Sequence, residues 1–278
     1  IGAHDHESHY VLDLLLNNTT TVQPAIHSTD THGTNELNFA LLHVFGYQFA
    51  PRYRQIQKKI RTSLCGFQHP KQYAGLLLRP TRKLNIELII SEWDNLQRIF
   101  ASLALKTTPQ SIIVRKLSSY GPQNRTKRAL LEYDSIFRSL HLLEFVDSPP
   151  LRQNVQRALN RGENYHQLRK AIAYANFGKL RYRTEEEQQL WSECSRLLAN
   201  CIIYYNAAIL SRVLEERRAA GDLAGVEQLT QVAPIAWQHI NFYGRYEFTS
   251  RVAPIDLERV VAALIQGTSS GSGTEQVA

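Results

Sequence analysis

The chain of 278 residues has no methionine, only three cysteines, and no uninterrupted apolar run near the ~18 residues of a membrane helix. Each shortage excludes something. With no signal-peptide pattern at its start either, the chain is expected to be soluble and cytoplasmic, with no membrane partner. Cys194 and Cys201 stand seven apart in one helical stretch, about 10 Å along the axis and beyond disulfide reach, so free thiols are expected. A chain that starts at Ile1 and contains no Met is expected to be part of a longer translation product. The sequence also lacks a Gly-rich phosphate loop, a C-x-x-C pair, a G-x-S-x-G elbow and a solenoid repeat. The commonest nucleotide-binding, redox, hydrolase and repeat-array classes are therefore removed.

One absence is local. The first 50 residues carry no Lys or Arg and five acids, Asp5, Glu7, Asp13, Asp30 and Glu36. Residues 51–128 reverse this, with sixteen Lys and Arg against Glu87, Glu92 and Asp94, and the remainder is nearly balanced for a net charge of +7. A block so one-sided is a footprint for a polyphosphate such as nucleic acid, the competing reading being a solvated basic face.

What is present reads as ordinary globular material, 43% hydrophobic and 21% charged, enough for one large domain or two smaller ones. The organising stretch runs from Pro24 to Arg54. A short apolar segment delivers Asp30 and His32 to a turn at Gly33, and a helix through Leu37, Ala40, Leu41 and Val44 leads away to a stop at Gly46. A carboxylate at a strand end that feeds a helix is where α/β folds place chemistry. Elsewhere the apolar spacing predicts helices over 10–16, 84–105, 109–117, 125–146 and 151–159. A polar break then falls at Asn160, Arg161, Gly162 and Glu163, followed by an amphipathic run to Gly178. Glu163 is thus expected in a first helical turn, where the helix dipole favours any carboxylate. A long helix runs from Thr184 to about Arg218, Gly221 and Gly225 bracket a turn, and a last helix covers 256–265. The terminal HDHESH is rich in metal-ligating side chains but lacks the spacing of a preorganised site. Trp93, Trp191 and Trp237 read as packing residues.

Five ordered blocks carry a resemblance: STDTHG with FALLHVFGYQFAPR, then VRKLSSYGPQN, ALNRGENYHQLRKAIAYANFGKLRYR, APIAWQHINFYGRY and, near the start, YVLDLLL. Together they resemble the catalytic region of the replicative transposases of the Tn3 family. The resemblance implies a mostly α chain with a small α/β element, a partial RNase H-like core interrupted by a helical insertion. It divides the chain into 1–55 (core with the second catalytic Asp), 56–159 (basic helical insertion), 160–220 (helix with the catalytic Glu and the long helix after it), 221–266 (C-terminal helices) and 267–278 (tail).

Carried over by position, Asp30 matches the second catalytic Asp and Glu163 the catalytic Glu, each a ligand for metal. No residue matches the first Asp, so the chain alone is expected to be inactive or nearly so. The implied activity is DNA nicking at the 3′ ends of terminal inverted repeats and joining to target DNA, in a replicative cointegrate pathway. The implied cofactor is Mg²⁺, two ions per complete site, with Mn²⁺ as a substitute. The implied partners are double-stranded DNA and a second copy of the protein, in a bacterial, nucleoid-associated setting. Arg115, Lys116, Arg125, Lys127 and Arg128, in the basic block, and Arg161, beside Glu163, are the DNA-contact candidates. The alternatives are a non-catalytic DNA-binding remnant and a metal hydrolase built on HDHESH.

Overall fold

A computed structural model describes residues 6–31, 33–174, 177–179, 181–245 and 256–269. It divides into two compact units, Ile1–Leu159 and Asn160–Ala278. In chain order the first contains a 3₁₀ turn (Glu7–Tyr10), α1 (Val11–Leu16), β1 (Ile26–His27), α2 (Asn38–Val44), β2 (Gln48–Phe49), α3 (Ile56–Ser63), β3 (Cys65–Gly66), β4 (Arg82–Lys83), α4 (Ile86–Ser91), α5 (Trp93–Ala104), α6 (Gln110–Ser119), α7 (Arg125–Asp147) and the start of α8 (Pro149–Ile172). The expected mostly α composition with a small α/β element is what the structure has. Among the described residues the strands form two parallel pairs, β1 with β2 and β3 with β4.

The first unit is assembled on α7. Asn124 starts that helix by accepting the Lys127 backbone N–H at 2.8 Å, and α2, α3, α4, α5 and β3 all pack on it. Leu130 and Leu142 of α7 are fully buried with Leu12, Leu41, Leu42, Leu96 and Leu103 of the surrounding helices. Each contributes about 1.5–3 kcal/mol by leaving water. Several polar groups inside this core are linked in a chain of bonds. Leu12 N–H donates to Gln110 Oε1, Gln110 Nε2 to Asn38 Oδ1 at 2.7 Å, and Asn38 Nδ2 to the Ser8 carbonyl at 3.1 Å. Asp13 closes the start of α6 by accepting the backbone N–H groups of Gln110 and Ser111.

Some local expectations are corrected. The single helix expected over 84–105 is two, α4 and α5, parted at Glu92, whose backbone leaves the helical well at φ −105°, ψ 8°. Its carboxylate accepts from Asn95 Nδ2, Thr126 Oγ1 and Arg125 Nε, bonds that hold it below the usual carboxylate range. Between α3 and β4, where the apolar spacing predicts no helix, the chain forms β3 and a 3₁₀ turn, Pro70–Tyr73. Of the tryptophans, Trp93 packs edge-on to Tyr133 and Phe100, as expected of a packing residue.

The second unit holds the remainder of α8, α9 (Glu185–Ala219), α10 (Leu223–Thr230) and α11 (Leu257–Ser269). The polar break expected at 160–163 does not occur, and α8 runs through it without interruption. Arg, Asn and Glu are compatible with a helix interior, and Gly162 in an exposed turn costs only ~1 kcal/mol relative to Ala. α9 begins at a capping box, Thr184 with Glu187, and α10 and α11 pack against it. Arg169 of α8 bonds Ser192 and Ser195 of α9 and lies over the Trp191 ring. Asn206 donates to the carbonyls of Pro234 and Ala236. Gly225, expected in a turn, is buried inside α10, which Asp222 caps. The last helix reaches Ser269 rather than 265.

All three cysteines are free thiols, as expected. Among the described residues α9 is the one helix long and apolar enough to cross a membrane by length and composition. Counting consecutive apolar residues missed it because Ser192, Glu193, Ser195, Arg196, Asn200 and Asn206 interrupt the run.

Candidate active site

The site around Asp30 is built by two strands running side by side. β1 and β2 pair in parallel with Ile26 opposite Gln48 and His27 opposite Phe49. Backbone bonds continue on both sides, from Gln48 N–H to the Ala25 carbonyl (2.9 Å), Ala50 N–H to His27 (2.8 Å) and Arg52 N–H to Thr29 (2.8 Å). Beyond that point the Thr31 hydroxyl takes over the ladder. Its Oγ1 donates to the Arg52 carbonyl at 3.2 Å and accepts the Arg54 N–H at 3.1 Å. Asp30 therefore stands at the carboxyl end of a parallel pair, flanked across the ladder by Arg52 and Arg54. This is where open parallel sheets bind ligands.

The turn that presents Asp30 depends on one glycine. Asp30 Oδ1 accepts the Gly33 N–H at 3.0 Å, and a Cβ at position 33 would lie 2.6 Å from Thr29 Cβ. Only glycine lets the backbone return so closely. Asp30 is half-buried, and Arg52 donates from Nη1 to Gln156 Oε1 of α8 at 3.0 Å. His32, the other polar residue expected here, lies outside the described residues. At the far end of α2, Gly46 has φ +80°, which lets the chain reverse into β2.

Glu163 and Arg161 are exposed on α8, in the second unit. Glu163 is in the interior of the helix and not in its first turn, so the dipole account of a carboxylate there does not apply. Asp30 belongs to the first unit and Glu163 to the second. Among the described residues no group of three or more His, Cys, Asp or Glu side chains gathers to hold a metal ion. In HDHESH, His4 and Asp5 lie outside the described residues, while His6 Nδ1 bonds Ser8 Oγ at 2.7 Å.

The basic candidates separate into two kinds. Arg115, Lys116 and Arg128 are exposed, and Lys116 lines a cavity of about 750 Å³ with Asn95, Arg98 and Tyr120. Arg125 and Lys127 also hold the fold together. Arg125 Nε pairs with Glu92 at 3.1 Å and Lys127 Nζ donates to the Tyr120 carbonyl at 3.0 Å.

Behind α2 lies a polar group that sequence reading missed. Asp134, on α7, is completely buried, and its Oδ1 accepts the Ala40 N–H at 3.0 Å, closing the start of α2 from another helix. Burial pushes its carboxyl up to about 7, against the opposing pull of Arg138, whose Nη2 is 3.7 Å from Oδ2. His141, two turns on, is also buried. Its Nε2 meets the Pro51 carbonyl at 3.1 Å, and burial lowers its pKa below the ordinary histidine value. The same helix thus supports both ends of the α2–β2 segment that sets Asp30. Polar residues among Ala129, Leu130 and Leu142 on the buried face of α7, namely Asp134, Ser135, Ser139 and His141, were the available signal.

Residues 1–246 match the family model described as the Tn3 transposase DDE domain. The chain is 34% identical over 247 residues to the transposase for transposon Tn2501 of Escherichia coli, covering 88% of this chain and 24% of that protein. It is 34% identical over 246 residues to the transposase for transposon Tn501 of Pseudomonas aeruginosa, with the same coverage of each. To the transposase for transposon Tn1546 of Enterococcus faecium it is 32% identical over 251 residues, 90% of this chain and 25% of the relative. The chain thus spans about a quarter of the length of these relatives. No solved structure gives a significant match.

Proposed function

The chain belongs to the Tn3 transposase DDE family, and we propose that it is part of the catalytic region of a DNA transposase, with Asp30 and Glu163 as two of the carboxylates that act at the scissile phosphate. The observation that carries this reading is the position of Asp30, at the carboxyl end of two paired parallel segments inside the stretch the family model covers. A partial RNase H-like core, with residues 56–159 as a helical insertion, is the arrangement we infer around it. DNA is the proposed substrate, and pairing two transposon ends requires self-association of the active protein.

Hard carboxylate oxygens suit Mg²⁺, with Mn²⁺ as a substitute, and in the proposed site Asp30 and Glu163 would hold it. The chemistry supplied by two such ions, when bound, would be activation of the attacking oxygen and stabilisation of the leaving one in an in-line displacement at phosphorus. The rest falls to the protein's own side chains. Gly33 N–H holds one Asp30 oxygen, which fixes the direction of the carboxylate. Arg52 and Arg54, aligned beside it by the Thr31 hydroxyl, supply positive charge where a phosphodiester would lie. Arg115, Lys116 and Arg128 extend a basic face for the DNA backbone, with Arg125, Lys127 and Arg161 as further contacts. Cytoplasmic, nucleoid-associated action and a replicative cointegrate pathway follow from the same reading.

The competing reading is a non-catalytic DNA-binding remnant that uses the basic block alone. The test is Asp30→Ala in a protein extended upstream to the length of the relatives. Strand transfer at inverted-repeat ends is expected to vanish while the Kd for the same DNA stays within about twofold. An extended protein that never nicks, with or without Asp30, establishes the remnant instead.

A further inference from the structure

We propose that α9 pairs with the α9 of a second copy of this chain in an antiparallel two-helix seam made of Leu190, Cys194, Leu197, Cys201, Tyr204 and Ala208. These residues alternate at spacings of four and three, the period that keeps one stripe facing a partner helix. On a wheel of 100° per residue they fall within one narrow arc. Ser195, Ala199 and Asn206, the buried residues of α9, fall on the opposite side, where Arg169 and the Pro234 and Ala236 carbonyls meet them. The unit therefore uses one face of α9 and turns the other outward. Leu190 is 64% exposed, Leu197 65% and Tyr204 77%, with Leu198 beside them at 55%, and both cysteines are exposed.

Three features select a second copy as the occupant. The stripe holds no charged residue from Leu190 to Ala208, so two copies meet without burying an unpaired charge. Placed antiparallel about Ala199, each large residue faces a small one: Leu190 opposite Ala208, Cys194 opposite Tyr204, Leu197 opposite Cys201. A parallel pair would instead set Tyr204 on Tyr204 and Ala208 on Ala208, leaving one layer crowded and the next hollow. It would also bring the acidic first turns, Glu185, Glu186 and Glu187, against each other, whereas the antiparallel pair carries each toward the partner's last turn, with Arg217 and Arg218. Covering the stripe and Leu198 removes roughly 600 Å² per chain, about 1,200 Å² for the pair, the lower edge of stable interfaces. A bilayer is the poorer occupant, because Glu193, Arg196 and Asn200 ring the same stretch of helix.

The seam rests on the geometry of α9 and not on the role of Asp30, and it is tested without DNA. In sedimentation equilibrium the apparent mass is expected to climb from 31.8 kDa toward twice that value as the concentration rises through the micromolar range. Leu197→Glu, at an exposed position, is expected to stay monomeric with an unchanged far-UV circular dichroism spectrum. Under mild oxidation Leu197→Cys is expected to give a covalent dimer that is lost when Cys201→Ser is added, while the unaltered chain gives none. A monomer at every concentration, or a Leu197→Glu variant that dimerises like the parent, overturns the proposal. So does a disulfide dimer through Cys194 of the unaltered chain, which requires a parallel pair, and so does flotation of the chain with phospholipid vesicles that depends on Leu197.

Discussion

Replacing Asp134 by Asn tests how the first unit holds α2. In the folded protein its carboxyl is raised to about 7 from an ordinary value of 3.8, and it is fully buried, so no solvent screening reduces the effect. Three pH units correspond to about 4 kcal/mol, an upper figure for a buried group. The sign follows from proton counts. Between pH 3.8 and about 7 the folded state holds a proton that the unfolded state has released, so the contribution of Asp134 to stability is fully present below pH 3.8 and is lost as pH rises to about 7. Asn keeps an oxygen to accept the Ala40 N–H and cannot ionise. Asp134→Asn is therefore expected to be more stable than the parent at pH 7.5, by an amount that shrinks toward pH 4.5. His141 titrates in the opposite sense: burial lowers its pKa, so its contribution is present above pH 6.5 and is lost on acidification. Comparing the two proteins at each pH cancels His141 and isolates Asp134. The assay is urea unfolding at pH 4.5, 6 and 7.5, with the difference in free energy plotted against pH. Had the Arg138 charge at 3.7 Å outweighed desolvation, Asp134 would be ionised and paired. Asn would then destabilise by about 3–5 kcal/mol at pH 7.5, and that result refutes the reasoning.

Gly33→Ala is expected to destabilise the first unit by about 1–3 kcal/mol, because its Cβ meets Thr29 at 2.6 Å; thermal unfolding reads the loss, and an unchanged midpoint would mean the turn is laxer than drawn. Arg128→Gln and Lys116→Gln, both at exposed positions, are each expected to reduce the slope of log K against log salt for duplex DNA by about 1 while leaving thermal stability unchanged. Arg125→Gln is expected to lower both quantities, since Arg125 also pairs with Glu92; if all three behave alike, the division of the basic residues into two kinds fails.

Much of the helical framework was legible because apolar spacing at a period near 3.6 is a local property: α1, α2, α6, α7 and α9 lie close to where the spacing puts them. Breaks were less legible. Glu92 divides two helices because Asn95, Thr126 and Arg125 converge on it, two of them more than thirty residues away in sequence. At 160–163 polar residues and Gly162 continue a helix, since an exposed turn tolerates them. A local pattern carries no information about either outcome.

The sequence by itself determined the family, and for the candidate site it supplied the residues proposed to act: the STDTHG carboxylate with the glycine after it, the NRGE carboxylate and the basic block. Tertiary structure alone decided that Arg52 and Arg54 stand beside Asp30, because that neighbourhood is made by a parallel ladder and the Thr31 hydroxyl joining segments more than twenty residues apart. It likewise decided that Asp134 and His141 support this segment from behind, and that α9 buries its Ser195 and Asn206 side while turning its leucines outward. Identity and spacing are written along the chain, but which groups lose water and which face one another is settled only when distant segments compete for the same interior.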